Sequence, residues 1–441
     1  MVKVAYMFAF YDFETTGTSP AFDQPLQFAA ILTDNDFNQV ERVDIRCRLA
    51  PHILPAPWAL AVTGTSPEQL MDPALPSWFD FSHQISDLIR RWAPATWTGY
   101  NTLAFDEEFL RQSFYQNLHS NLYQTQFDNN DRLDLMKVIY AVRDREPDAL
   151  EWPLDDLGRE SFKLDRLAPA NGFAHHDAHD ALGDVEATIH LASLIRERAS
   201  AVWGQSLMNR DKNEVDRLLR GGHPVRLIER FGAAPPRSYF GVYAGTNPQN
   251  QNSVAFLDLD LCDAAIIDAD DRELARAVSA SPMMIRTVAI NKVPNVFPVA
   301  TTNREHGAVA QLVAARPDFR KRVGQALADR YADTEPSKHV EQLIYGGFYN
   351  TGDKQVLEEF KSADWPHRAE LVDQLEDPRL KQLGMRLIFS NAQQYTSKNY
   401  QSAARTAIRD RWLTNEQSTP WTTMATVEQQ LHEIESGEMV D

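Results

Sequence analysis

Short hydrophobic runs alternate with amphipathic repeats along the first 200 or so residues. Residues 4–11, 26–32, 43–49 and 95–100 are apolar enough to form strands, and the first of them, with its unbroken run over 4–10, reads as a buried one. Elsewhere the apolar positions recur at helical spacing. A helix is expected from Asp106 through Arg111, and beyond Leu182 the residues Val185, Ile189, Ala192 and Ile195 make one inward stripe. Thr65-Ser-Pro-Glu68 reads as a capped helix start with proline in the first turn. Strands interleaved with helices in this way predict an α/β domain on a mixed sheet.

After a break near Ser200, Gly221-Gly222 ends a short helix and the pattern changes. Between 224 and 294 it becomes β-rich, with runs at 225–228, 239–244, 254–259 and 284–290 separated by turn signals such as Gly245-Thr-Asn-Pro-Gln-Asn250. From about Ser337 helical periodicity dominates, at 355–360, 380–389 and 403–412. No internal repeat and no low-complexity tract is present. The expected division is 1–201, 202–335 and 336–441.

Composition narrows the class. With 441 residues, 43% of them hydrophobic, the chain can bury a sizeable core over two or three domains. No apolar run approaches membrane-spanning length, and the N-terminus lacks the basic region and cleavage site of a signal peptide. Cys47 and Cys262 are far apart and outside any CxxC spacing, which argues against a zinc site or a disulfide framework. A soluble protein of a reducing cytoplasm is expected. The net charge of −18 argues against a generic nucleic-acid-binding surface, so any polyanion would need a local basic groove. Arg217-Leu-Leu-Arg220 and Arg320-Lys-Arg322 are the candidates for basic surface, or else solvated helix faces.

Candidate chemistry lies in three contexts, YDFETTG (11–17), GYNTLAFD (99–106) and AHDALGD (178–184). Asp12 and Glu14 are two residues apart, so on an extended backbone both face one way. Side-by-side carboxylates repel unless one is protonated or a cation lies between them, and hard oxygen ligands favour Mg²⁺ or Mn²⁺. Asp106 opens a helix, where an acid also suits the macrodipole. His179 precedes Asp184 by five residues, about 140° around an ideal helix. Both can serve one site only if His179 lies on or before the first turn. A histidine-rich metallohydrolase built on His175-His-Asp-Ala-His-Asp180 would leave Asp12, Glu14 and Asp106 unexplained.

The five positions, in this order, resemble the DEDDh branch of the 3′–5′ exonucleases, within the ribonuclease H-like proofreading-exonuclease superfamily. A closer likeness is to the bacterial exonuclease I family. It is carried by PLQFAAILT (25–33), TGTSPEQ (63–69), SFKLDRLAPANG (161–172), AINKVP (289–294) and QLIYGGFY (342–349). The resemblance implies a mixed-sheet nuclease domain, a small SH3-like β-barrel and a helical C-terminal domain, arranged as a C-shaped clamp. It implies a monomeric exodeoxyribonuclease that releases 5′-mononucleotides from the 3′ end of single-stranded DNA in repair and recombination. An association with the acidic tail of single-stranded DNA-binding protein comes with the family.

By the same likeness Asp12, Glu14 and Asp184 hold two Mg²⁺ ions, which Mn²⁺ can replace, and Asp106 contacts them directly or through water. Paired divalent ions about 3.5 to 4 Å apart can clamp both oxygens of an in-line phosphoryl displacement. His179 takes the proton of the attacking water. Substrate contacts fall at Glu14 and Thr15 beside the terminal nucleotide, at Lys163 where the family usually has arginine, and near Arg111, Tyr123, Phe127 and Lys212. The nuclease motifs alone leave open an exoribonuclease of the same fold, or a non-catalytic nucleic-acid-binding scaffold.

Overall fold

The computed structural model describes residues 7–174, 180–262, 264–299, 303–330, 335–416 and 418–437. A mixed sheet built from β1 (Phe8–Thr15), β2 (Pro25–Thr33), β3 (Gln39–Arg46), β4 (Thr96–Thr98) and β5 (Asp131–Arg132) has the order β3-β2-β1-β4-β5. β2 and β3 continue antiparallel from β1, and β4 and β5 are parallel to it. The two-residue period of β1 divides its side chains between two cores. Ala9, Tyr11 and Phe13 join one, whereas Phe8 and Phe10 join the other. Helix Ala181–Arg198 lies on the second face, its Leu182, Val185, Leu191 and Ile195 sharing the core of Phe8 and Phe10.

The first face is covered by helix Trp78–Trp92 and by the C-terminal helices Thr351–Ser362, Trp365–Gln374 and Pro378–Asn391. Phe360 meets Phe79 edge-on at 5.9 Å, and Tyr115 donates to the Val340 carbonyl at 2.8 Å. The end of the chain thus completes the core of its beginning.

A second sheet holds β6 (Val225–Glu229), β7 (Arg237–Thr246), β8 (Ser253–Asp258), β9 (Ile285–Ala289) and β10 (Val296–Pro298), antiparallel in the order β10-β6-β7-β8-β9. Helices Arg304–Ala315 and Pro317–Asp329 pack on one of its faces through Val313, Phe319, Val323 and Leu327. A Cβ on Gly324 would sit 2.3 Å from the Thr246 carbonyl, so the helix crosses β7 where only glycine fits. The loop after β9 docks on the first domain, where Arg132 donates to the Asn291 carbonyl and Lys137 to that of Lys292, at 3.2 and 2.6 Å.

Two expectations shift. The hydrophobic pattern predicts the first strand over 4–11, but β1 continues through the acids to Thr15 because its ladder with β2 persists to the Thr15–Pro25 pair. Inside the β-rich stretch 224–294 lies a helix, Asp271–Ala277, that the run pattern does not announce; helices Arg304–Ala315 and Pro317–Asp329 follow it in a stretch to which the pattern assigns no element, and β5 and β10 are too short to show a period. Among the described residues no helix is long and apolar enough to cross a membrane.

Candidate active site

The site follows from the alternation of β1. Asp12 and Glu14 share the face of Phe8 and Phe10, and helix Ala181–Arg198 covers that face with Asp184 in its first turn. One carboxylate oxygen each from Asp12, Glu14 and Asp184 lies within 4.8 Å of the others. Asp106 arrives from the other neighbour of β1. Beyond β4 a Cβ at Gly99 would come within 2.4 Å of the Tyr11 carbonyl, so the chain turns tightly against β1. Asp134 holds that turn by accepting from the amides of Asn101 and Leu103, both at 3.1 Å. Helix Asp106–Gln116 starts there, and its first carboxylate accepts from the Phe13 amide at 3.0 Å, between the two strand acids.

The acids disturb one another. Burial raises Asp12 well above the usual carboxylate range, with Asp106, Asp184 and Glu14 adding repulsion. Glu14 is pushed up to about 8 by burial first and then by Asp184, Asp106 and Asp180, against the pull of Arg46. Asp106 also reaches about 8, chiefly through burial, even though the Phe13 amide favours its charged form. Half-buried carboxylates this close cannot all ionise without a cation, and an all-oxygen donor set suits a hard divalent ion. The residues therefore fit such a metal.

Beneath the cage the fully buried Glu107 accepts from Tyr11 (3.2 Å), Arg111 (3.0 Å), Arg132 (3.0 Å) and Thr125 (2.8 Å). Burial pushes its carboxyl up, but Arg132 and Arg111 outweigh this and hold it below the ordinary value. Glu107 therefore stays charged in the interior, an ion-paired support that the motif reading passed over.

Asp180 is a second residue that the motifs do not single out. It accepts from Gln27 at 3.1 Å and lies 3.5 Å from Arg46. Glu14, Gln27 and Arg46 are successive register partners across three strands, which brings all of them to this edge of the cage. Its place beside His179 in the third motif was the available signal. His179 itself lies outside the described residues; helix Ala181–Arg198 begins after it.

The expected substrate contacts are spread out. Thr15 is buried, its hydroxyl donating to the Gly17 carbonyl at 2.7 Å. Lys163 is exposed immediately before helix Leu164–Ala170 and lines a groove of about 710 Å³ together with Asp184. Arg111 is buried and divides its fork between Glu107 and Glu108 while covering the Tyr123 ring at 5.0 Å. Phe127 is exposed and edge-on to Tyr123 at 6.2 Å. Lys212 is exposed at the start of helix Lys212–Arg220. Of the candidate basic surface, Arg217, Arg220 and Arg322 are paired with Glu214, Asp216 and Asp271, whereas Arg320 and Lys321 have no ion pair among the described residues.

A strand-borne acid pair, completed by acids from the starts of two helices, defines a metal-dependent nuclease of the exonuclease class. The sequence matches the Exonuclease family over residues 9–192 and the Exonuclease I C-terminal domain over 338–439. It is 30% identical over 433 residues to exodeoxyribonuclease I of Escherichia coli K12, covering 92% of this chain and 88% of that protein. Identity to the exodeoxyribonuclease I of Haemophilus influenzae is 31% over 419 residues, covering 87% and 85%. The crystal structure of E. coli exonuclease I with a dA16 oligonucleotide superposes with a TM-score of 0.84 at 26% identity, covering 98% of this chain and 94% of that one. The chain belongs to the exodeoxyribonuclease I family and is an exodeoxyribonuclease.

Proposed function

We propose that this exodeoxyribonuclease digests single-stranded DNA from the 3′ end, releasing 5′-mononucleotides in repair and recombination. The observation that carries the reading is the carboxylate cage of Asp12, Glu14 and Asp184 at the end of β1, with Asp106 against it. The E. coli relative has been solved with dA16 and dT13 oligonucleotides, which supports a single-stranded substrate. Two Mg²⁺ ions, replaceable by Mn²⁺, would be held by Asp12, Glu14 and Asp184, with Asp106 direct or through water, and would supply charge neutralisation at the scissile phosphate.

The chain's own groups do the rest. Asp106 is oriented by the Phe13 amide, and Asp180 and Gln27 brace the opposite edge of the cage. His179 accepts the proton of the attacking water, a step worth about 10² to 10⁴ in rate. Thr15 lies beside the terminal nucleotide, and Lys163, Arg111, Tyr123, Phe127 and Lys212 contribute to holding the strand. Aromatic rings with scattered cations suit binding without sequence preference.

The proposed division is 1–201 for the nuclease domain, 202–335 for an SH3-like barrel and 336–441 for the helical domain, acting as a monomeric clamp in the bacterial cytoplasm. A solved structure of SSB/exonuclease I in complex with an inhibitor supports a contact with single-stranded DNA-binding protein, which we assign to its acidic tail. One assay tests the whole reading: single-stranded DNA, duplex DNA and RNA, labelled at either end, compared with Mg²⁺. Loss of the 3′ label first, from single-stranded DNA alone, is expected; preference for RNA or for the 5′ end would overturn it.

A further inference from the structure

A protein of net charge −18 that admits a polyanion needs unspent positive charge close to its reacting centre. The groove that includes Asp184 has several cations on and around its walls, and most are already committed. Arg159 is paired with Asp155 at 2.8 Å, Arg166 with Asp156 at 3.2 Å, and Glu160 is held by Arg143 at 2.5 Å. Among the described lining residues, Lys163 and Arg230 remain outside any ion pair.

Arg230 is built in rather than dangling. It immediately follows β6 of the second sheet, yet its guanidinium lies 4.6 Å over the ring of Phe162 and 5.6 Å from that of Tyr140, both in the nuclease part. Its Nε donates to the Ala234 carbonyl at 3.1 Å, while Nη1 and Nη2 have no partner among the described residues. Phe162 is itself fixed, since it is buried, edge-on to Tyr140 at 5.3 Å, and its carbonyl accepts from Tyr100 at 2.5 Å. Phe162 immediately precedes Lys163. A flat guanidinium with two open amino groups therefore lines the same groove as the exposed Lys163 and Asp184.

We propose that Arg230 is a substrate-binding residue that grips a backbone phosphate of the DNA strand in this groove, acting with Lys163. The inference rests on the reading of the substrate as single-stranded DNA. A lysine offers a point charge, whereas an arginine fork fixes two phosphate oxygens at once, so Arg230 supplies from the second sheet the planar recognition that Lys163 lacks. The contact also ties the β-rich part to the strand entering the nuclease site. It carries no sequence information, as a backbone contact should not.

The test uses the full chain, with Arg230→Gln, Arg230→Lys, Lys163→Arg and the double variant Lys163→Arg/Arg230→Gln. Steady-state digestion of oligothymidylate with Mg²⁺ is measured alongside its binding in EDTA at several salt concentrations. Arg230→Gln is expected to raise KM and Kd about tenfold, with kcat within about twofold of wild type. It should lower the slope of log affinity against log salt by about 0.7, the value for one phosphate on a single strand. Lys163→Arg should restore most of the affinity of the Gln variant, and Arg230→Lys should keep the salt slope but bind more weakly than wild type. A structural wall would instead lower the melting temperature, leave the salt slope unchanged and resist rescue. Unchanged KM and slope in Arg230→Gln, while the wild type digests single strands, would overturn the proposal alone. A wild type that neither binds nor digests them would remove the substrate reading and this proposal together.

Discussion

Asp12→Asn should abolish hydrolysis and at the same time stabilise the metal-free protein at alkaline pH. Oxygens of Asp12, Glu14 and Asp184 lie within 4.8 Å, and at an effective dielectric of about 20 each like-charged pair at that distance costs about 3.5 kcal/mol. Asp12 takes part in two such pairs, so about 7 kcal/mol of repulsion is at stake when all three are ionised. The metal-free protein avoids much of this by retaining protons, since Glu14 and Asp106 titrate only at about 8.

The sign follows from those raised values. An acid whose folded-state value exceeds its ordinary one contributes stability below the ordinary value, near 4, and loses it as pH rises through the folded value, here about 8. Without metal, the wild type should melt lower at pH 9 than at pH 6, and Asp12→Asn should flatten that difference. After partial relaxation the variant should gain about 2 to 3 kcal/mol at pH 9 and under about 1 kcal/mol at pH 6. In the wild type, Mg²⁺ at a hundred times its dissociation constant should restore about 2.7 kcal/mol. The assay is thermal unfolding in EDTA and in Mg²⁺ at both pH values, paired with nucleotide release. An Asn variant that melts below wild type in EDTA at pH 9, or that keeps the full Mg²⁺ shift, would refute the cage.

His179→Ala should bind oligothymidylate as wild type does while losing about 10² to 10⁴ in single-turnover rate; a rate near wild type would remove its role as base. Glu107→Gln should cost about 3 to 5 kcal/mol in denaturant unfolding, because Arg132 loses its carboxylate in the interior and Arg111 keeps only Glu108. Phe360→Ala should cost about 3 to 5 kcal/mol and lower the melting of the nuclease part as well, because Phe360 packs on Phe79 within one shared core. Nuclease melting that ignores this substitution would show that the C-terminal helices are merely appended.

Much of the site could be read along the chain. The two-residue step from Asp12 to Glu14 dictates a common face on any strand, and the apolar residues before them make a strand the only reasonable host. The helix starting near Leu182 was equally plain from its stripe, and the observed helix Ala181–Arg198 carries Asp184 in its first turn. Glu107 was missed because a glutamate on a helix reads as solvated until its neighbours are known. Its four partners come from β1, its own helix, a loop and β5. Helices Arg304–Ala315 and Pro317–Asp329 fall between the β-rich runs, which end near 294, and the helical periodicity that begins near 337; only the second sheet shows what their apolar residues pack against.

The chain's residue order determined which side chains share a face, where helices start, and which chemistry four acids and a histidine could perform, because those properties depend on neighbours within a turn or two. Folding alone decided that Asp106 and Asp184 would meet the acids of β1 and that the C-terminal helices would close the first core. It also decided which cations stay available. Arg217 and Arg230 look alike in sequence, yet one is neutralised by Glu214 within its own helix while the other is carried across to the nuclease groove with two amino groups open. Charge pairing and desolvation act between segments remote along the chain, so only their three-dimensional arrangement sets them.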